Sequence, residues 1–244
     1  MKNQYFGDIN DYRKYGLIRM LSDTGKLRVG ICWMLTQDDG RTDGKFVDYL
    51  RKRNTYGSYD PPLFDALATC LHSSKQREVC SAEQAGIIPG AVYYPHLLTD
   101  HKNQRSEYFA QFSETSKACD LIFFDPDNGL EVSSKHKGTK DSCKYLYWDE
   151  LQKVYAEGQS VLLYQHFRRE KREAMIATLS SQMMSRLGAP SVLAFRTPHV
   201  LFLLIPQQTH LSFFEKRAQE VAKRWHPEIK LIDKRPANLL ASGI

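Results

Sequence analysis

An acidic segment that directly follows an apolar run is the best candidate for a functional site. Residues 121–124 read Leu-Ile-Phe-Phe, and residues 125–131 read Asp-Pro-Asp-Asn-Gly-Leu-Glu. A strand that is apolar on both faces is typical of the interior of a parallel sheet, so the first carboxylate, Asp125, should emerge at the carboxyl edge. Carboxylates there accept hydrogen bonds from an amine or hydroxyl under attack, or hold a divalent cation through oxygen ligands.

A structural role is the alternative for the same segment. Asp125 would then cap a turn, Asn128 and Gly129 would supply its positive-φ positions, and Glu131 would be solvated. Because loops carry binding and catalytic residues more often than the elements they connect, we favour the functional interpretation after this buried strand.

A second apolar run, residues 160–167, ends in Gln165-His166-Phe167. An imidazole titrates near neutral pH, so His166 could act as an acid or a base, although it could equally be a structural histidine in the first turn of a helix. The catalytic residues that the sequence predicts are Asp125, Pro126, Asp127, Asn128 and His166.

A polar loop with two glycines, residues 36–44, follows the first predicted strand. Such a loop suits a turn that faces a ligand. Asp38 and Asp39 could bind a ribose hydroxyl or join a metal site, although turn formation is the commoner role of aspartate in such a loop. The cofactor-binding residues that the sequence predicts are Thr36, Asp38, Asp39 and Gly40.

The segment 5–15 is rich in aromatic and charged residues. Aromatic rings stack on bases while Lys and Arg meet phosphates, so the segment could face a nucleic acid or another ligand. The alternative is that Asp8 or Asn10 only caps the following helix. The substrate-binding residues that the sequence predicts are Asp8, Asp11, Lys14, Gln165 and Arg168.

Strands that alternate with helices must position these side chains. The predicted strands are residues 29–35, 90–94, 121–124, 160–167, 191–195 and 199–205. The predicted helices are residues 11–22, 46–53, 107–117, 148–157, 168–187 and 211–225, with another that begins at 60. The last two strands are separated by only three residues, which requires an antiparallel hairpin. We therefore expect one α/β domain, residues 1–244, with a doubly wound, mostly parallel Rossmann-like sheet and a C-terminal antiparallel hairpin.

Composition narrows the environment and the partners. The chain has 244 residues, a net charge of +6 and a hydrophobic share of 42%, which is enough for a full core. A positive charge favours a nucleic-acid partner, RNA or DNA. The five cysteines are widely spread and form no zinc pattern, and no apolar run is long enough to cross a bilayer. We expect a cytoplasmic protein without a membrane contact, and the sequence does not fix its oligomeric state.

The order of these parts resembles that of class I S-adenosylmethionine-dependent methyltransferases. It looks most like the single-domain bacterial enzymes that methylate adenine N6 in large-subunit ribosomal RNA. Those enzymes open with a Gly, Asn or His and an Asp three residues before a Lys. The residues here that are similar to the opening segment are Gly7, Asp8, Asn10, Asp11 and Lys14. The residues that look like the counterparts of the cofactor loop are Thr36, Gly40 and Arg41.

The catalytic strand of that family ends in Asp-Pro-Pro-Tyr. Asp125 and Pro126 match its first two residues. Asp127 and Asn128 replace the second Pro and the Tyr that stacks on the target base. The glycine-rich cofactor turn is replaced by Gln37-Asp38-Asp39. The resemblance implies S-adenosylmethionine as the cofactor and a nucleic acid as the substrate.

Other classes of protein fit parts of the pattern. A magnesium-dependent hydrolase or nuclease would use Asp125, Asp127 and Glu131 as metal ligands. The pattern Asp-x-Asp-x-Gly is also similar to that of haloacid-dehalogenase-type phosphatases, although their later lysine and acidic-pair motifs have no clear equivalents. A nucleic-acid-binding module without catalysis is the third alternative.

Overall fold

A computed structural model describes residues 1–38, 44, 46–73 and 77–234 of the protein. The helices of this part are α1 (Ile9–Leu21), α2 (Arg53–Tyr56), α3 (Pro61–Ser73), α4 (Cys80–Gln84), α5 (Lys102–Ser116), α6 (Trp148–Ala156), α7 (Arg172–Leu187) and α8 (Leu211–Arg224). Its strands are β1 (Val29–Cys32), β2 (Val92–Tyr94), β3 (Leu121–Phe124), β4 (Gly129–Leu130), β5 (Tyr145–Leu146), β6 (Ser160–His166), β7 (Val192–Arg196), β8 (Val200–Ile205) and β9 (Lys230–Lys234). None of the helices described could span a membrane, because none combines the necessary length with an apolar sequence.

The main sheet has seven strands in the order β2-β1-β3-β6-β8-β7-β9. The first four of these strands are parallel. β8 pairs antiparallel with β6 and with β7, and β9 pairs antiparallel with β7. The α/β class is therefore confirmed, and the sheet is compatible with a Rossmann-like fold. β4 and β5 form a separate two-stranded parallel sheet.

Alternate residues of the central strands enter two different apolar clusters. In β3, Leu121 and Phe123 join the cluster that contains apolar residues of α1, α3 and α8, whereas Ile122 and Phe124 join the cluster that contains those of α5, α6 and α7. Successive side chains of a strand point to opposite faces, so the sheet has a core on each face. Burial of each such side chain stabilises the fold by about 1.5–3 kcal/mol.

Several elements differ from the sequence prediction, among them β1, which ends at Cys32 rather than at 35, and three helices. α5 begins at Lys102 rather than at 107. Its first turns are polar and show no apolar face in the sequence, although Arg105 is buried there in an ion pair with Glu150. α7 begins at Arg172 rather than at 168, since residues 167–171 turn away from the end of β6. The predicted helix 46–53 is instead a 3₁₀ turn, Asp48–Arg51, followed by the short helix α2.

The strand β9 was not among the predicted strands. Its sequence, Lys-Leu-Ile-Asp-Lys, is basic and has only two apolar residues. It lies at the edge of the sheet beside β7. Charged residues are common on edge strands because they oppose further pairing with other chains, which is why charge alone does not exclude a strand.

Candidate functional site

Asp8 fixes the start of α1 and thereby the orientation of the side chains that follow. Its Oδ1 accepts hydrogen bonds from the backbone amides of Asn10 and Asp11, at 2.8 and 2.9 Å. Asp8 is therefore the N-cap of the helix. Residues three positions apart lie on the same face of a helix, so Asp11 and Lys14 project together.

The ammonium group of Lys14 joins two carboxylates. Its Nζ lies 2.6 Å from Asp11 Oδ1 and 2.7 Å from Asp125 Oδ2, and the side chain is only 2% exposed. The same ammonium lies 5.1 Å from the ring centroid of Tyr15 and 5.3 Å from that of Trp33. Burial acts to lower the pKa of Lys14, but the charges of Asp11 and Asp125 outweigh it and raise the pKa. Lys14 therefore remains a cation and orients Asp125.

Asp125 lies at the carboxyl end of β3, as the apolar run predicted. Its backbone amide donates to Cys32 O, at 3.1 Å, so the end of β1 holds this residue in place. Burial raises the pKa of the Asp125 carboxyl, and the charge of Lys14 opposes the rise. A carboxylate whose pKa is raised by burial is a stronger proton acceptor than a solvated carboxylate.

Asp127 connects the loop after β3 with the loop after β1. Thr36 Oγ1 donates to Asp127 Oδ2 at 2.8 Å, and the amino group of Met1 lies 2.8 Å from Asp127 Oδ1. The Met1 amino group also donates to the backbone oxygen of Asp125, at 2.8 Å. Burial acts to raise the pKa of Asp127, but the Met1 ammonium and the Thr36 hydroxyl lower it overall. Asp127 is therefore held as an anion.

Gln165 supports the loop from behind. Its Oε1 accepts from Leu130 N at 2.9 Å, and its Nε2 donates to Asn128 O at 3.1 Å. The side chain is fully buried, so Gln165, which the sequence predicted to bind substrate, lies beneath the loop and positions it. Gly129 has φ +102°, and a Cβ atom there would overlap the Gln165 amide.

A cleft of about 460 Å³ opens at this edge of the sheet. The predicted site residues that line it are Asp8, Asp11, Lys14, Asp125, Pro126, Asp127, Asn128 and His166. The cleft wall also includes residues that the sequence did not single out, such as Met1, Phe46, Lys144, Tyr164 and His199. These come from distant segments, and no local pattern marks them as neighbours of Asp125.

Other predicted site residues lie elsewhere. Thr36 reaches Asp127 but does not line the cleft, and Asp38 is exposed outside it. The Arg168 guanidinium lies outside the cleft, 3.4 Å from the backbone oxygens of Leu130 and Glu131. The predicted cofactor-loop residues Asp39, Gly40 and Arg41 fall outside the described residues.

His166 lies at the mouth of the cleft, where its ring is exposed. Its Nε2 is 3.2 Å from the hydroxyl of Tyr164. Partial desolvation lowers the pKa of His166, while the charges of Asp127 and Asp125 act in the opposite direction. Because the residue is exposed, His166 can exchange a proton with solvent.

The predicted magnesium ligands are not brought together. The Glu131 carboxylate accepts from Trp148 N at 2.8 Å, at the start of α6, and it does not line the cleft. Across residues 1–38, 44, 46–73 and 77–234, no group of three His, Cys, Asp or Glu side chains has an arrangement that could hold a metal ion.

The stability of the protein should depend on pH through Asp8. Burial, and then the charge of Asp11, raise the pKa of Asp8 from 3.8 to about 7. The folded state thus keeps a proton that the unfolded chain releases, and stability falls as pH rises from about 4 to about 7. Asparagine is also a good N-cap, and its amide does not titrate. From about pH 5 to about pH 8, the stability gained by Asp8→Asn relative to the wild type should therefore increase by at least about 1 kcal/mol in the free energy of unfolding. Urea denaturation at several pH values measures this change.

A matched control for this experiment is Asp48→Asn, because the Asp48 side chain is 85% exposed. This variant should follow the pH dependence of the wild type. Parallel curves for Asp8→Asn and the wild type would contradict the assignment of the pH dependence to Asp8.

Comparisons of the chain with protein-family models, with curated proteins and with solved structures gave no match. Function must therefore be inferred from the side chains of the cleft and from their chemistry.

Proposed function

We propose that the protein is a methyltransferase-like enzyme that binds S-adenosylmethionine in this cleft and acts on nucleic acid. The observation that carries the proposal is the position of Asp125, which lines a cleft of about 460 Å³ at the carboxyl edge of the parallel strands β1 and β3. Ligands of open α/β sheets bind at this edge, and small-molecule sites typically measure about 300–1,000 Å³. The apolar clusters on both faces support a doubly wound, Rossmann-like arrangement.

The charges of the cleft suit this cofactor. S-adenosylmethionine carries a sulfonium and an ammonium group, and it has a ribose with two hydroxyls. Asp127 lines the cleft as an anion, and Asp8 lines it with oxygens that accept hydrogen bonds, so both can accept from an ammonium or from ribose hydroxyls. When bound, the cofactor supplies an electrophilic methyl carbon.

Asp125 is the residue that would act on the substrate. Its carboxylate can accept a hydrogen bond, or a proton, from an amine or hydroxyl of the nucleic acid. Lys14 opposes protonation of this carboxylate and fixes its direction. The Asn128 amide can both donate and accept at the edge of a base, and His166 offers a path for the proton toward solvent. The net charge of +6 favours a polyanionic partner.

Calorimetry with S-adenosylmethionine tests the cofactor half of the proposal. We expect the wild type to bind, and Asp127→Asn to weaken binding about tenfold or more, because a charge-assisted hydrogen bond contributes about 1.5–3 kcal/mol. The control is Asp120→Asn at the opposite edge of the sheet, where the carboxylate accepts from Arg28 N at 2.8 Å and asparagine keeps an acceptor.

Magnesium in place of the cofactor separates the alternatives. No heat with millimolar S-adenosylmethionine, together with magnesium binding that Asp125→Asn abolishes, would refute the methyltransferase and favour a metal-dependent hydrolase. The absence of a heat of binding with either ligand would favour a binding module without catalysis.

A further inference from the structure

Phe46 is an exposed aromatic residue on the wall of the cleft. Its side chain is 68% exposed, and it lines the cleft beside the acidic residues. In the part of the chain that the structure describes, Leu97 is the other large hydrophobic residue that is exposed, at 57%, and it does not line the cleft. Isolated exposed hydrophobic residues are common on proteins, so the position of Phe46 matters more than its exposure.

The backbone around Phe46 is tied to the N-terminal segment of the site. Phe46 O accepts from Ile9 N, the first residue of α1, at 3.0 Å. The Tyr49 hydroxyl donates to Gly7 O at 3.0 Å, and Arg77 Nε donates to Phe6 O at 2.7 Å. The Phe46 backbone is thereby held next to Ile9, the residue that follows the Asp8 cap.

The rest of the cleft wall offers polar groups. The strand β6 contributes Tyr164 and His166, and the turn before β8 contributes His199. His166 pairs with Val200 across β6 and β8, and His199 directly precedes Val200. A nucleobase combines a flat apolar face with a polar edge, which is the combination that one aromatic ring and these polar groups complement.

A basic segment begins where β6 ends. Residues 168–172 read Arg-Arg-Glu-Lys-Arg, and all five are exposed. The Arg172 guanidinium lies 4.5 Å from the ring centroid of Phe167. The Arg168 guanidinium lies 3.4 Å from the backbone oxygen of Leu130. Cations beside a cleft of this kind meet the phosphates of a nucleic-acid chain.

We infer that the mouth of the cleft holds an unpaired nucleobase stacked on Phe46, with the adjoining phosphates against Arg168 and Arg169. This inference rests on the proposed function, because it takes nucleic acid as the substrate. Phe46 then supplies the stacking face that Asn128 lacks. A base inside a duplex has both faces covered by its neighbours, so the site selects single-stranded or extruded bases over paired ones.

Fluorescence anisotropy with a short labelled oligonucleotide of mixed sequence tests this inference without cofactor. RNA and DNA single strands and the corresponding duplexes are compared. We expect Phe46→Ala to weaken single-strand binding about tenfold and Phe46→Trp to preserve it, since a base stacks on either aromatic ring. Leu97→Ala removes the other exposed hydrophobic side chain and should leave the affinity unchanged.

Salt dependence tests the phosphate contacts separately. Each phosphate contact that is lost reduces the magnitude of the slope of log K against log salt by about 0.7 for single strands. The double variant Arg168→Gln/Arg169→Gln should therefore reduce this magnitude by about 1.4. The charge-matched control is Arg28→Gln/Lys117→Gln, whose exposed side chains lie in the segments that lead into β1 and β3 at the opposite edge.

An affinity of Phe46→Ala equal to that of the wild type, or duplexes that bind more tightly than single strands, would overturn the inference. Equal loss of salt slope in the two double variants would also overturn it. Calorimetry of the wild type with S-adenosylmethionine keeps the two proposals apart, because single-strand binding is measured without cofactor. Failure of the cofactor to bind the wild type counts against the proposed function, and loss of the Phe46 effect counts against the base site.

Discussion

Replacement of Lys14 by methionine is expected to lower the free energy of unfolding by about 3–5 kcal/mol, the usual cost of removing one partner from a buried ion pair. Lys14 is the cation between Asp11 and Asp125, and both carboxylates are buried. Methionine preserves most of the volume but leaves two carboxylates without their common cation. Urea denaturation at neutral pH measures the loss.

Two further variants make this experiment specific. Lys26→Met removes an exposed lysine that pairs with Asp23, and it should change stability by no more than about 1 kcal/mol because the Lys26 side chain is 73% exposed. Addition of Asp125→Asn to Lys14→Met should recover part of the loss, because it removes one unpaired charge. A cost for Lys14→Met as small as that for Lys26→Met would contradict the assignment of Lys14 as the charge that holds the site together.

Replacement of Gly129 by alanine should lower the free energy of unfolding by about 2–6 kcal/mol, because backbone strain at positive φ and overpacking each cost about 1–3 kcal/mol. The added methyl group would overlap the Gln165 amide, which holds both Leu130 N and Asn128 O. The acidic loop must then shift, so the variant should also weaken cofactor binding. Denaturation and calorimetry measure the two effects.

Gly158 provides the matched control. Its φ is +90°, and a Cβ atom there would have no neighbour within 4 Å. Gly158→Ala therefore carries the backbone strain without the overlap, and it should cost about 1–3 kcal/mol less than Gly129→Ala. Equal losses in the free energy of unfolding for the two variants would mean that the Gln165 side chain moves without penalty and does not position the loop.

The buried strands were predictable from the sequence because their apolar runs are continuous. β3 and β6 are each buried for nearly their whole length, so the residues that follow them had to emerge at one edge. The same reasoning missed the first turns of α5, where Arg105 occupies a core position that an apolar residue normally fills. It also missed β9, because lysines at both ends of an edge strand resemble a solvated surface.

The candidate site was predictable only in part. The sequence placed Asp125 and Asp127 after a buried strand, and the family resemblance singled out Asp11 and Lys14. It could not assign Gln165, because an amide that supports a loop and an amide that binds substrate look alike in a sequence. Phe46 and His199 approach the cleft through tertiary contacts, which leave no local pattern.

The capping role of Asp8 shows why structural and functional interpretations are not exclusive. Asp8 caps α1, as one interpretation held, and it also lines the cleft. Capping by Oδ1 fixes the carboxylate beside Asp11 in a buried position, and this burial raises its pKa to about 7. One side chain therefore starts the helix and sets part of the charge of the cleft.

The most direct test of the proposed function is transfer of radiolabelled methyl groups from S-adenosylmethionine to unmodified RNA and DNA of mixed sequence. We expect the wild type and Asp120→Asn to label nucleic acid, and Asp125→Asn to be slower by about 100-fold or more, as for loss of a general base. No labelling by the wild type, or equal labelling by Asp125→Asn, would contradict the assignment of Asp125 and its cleft as the centre of a methyltransferase.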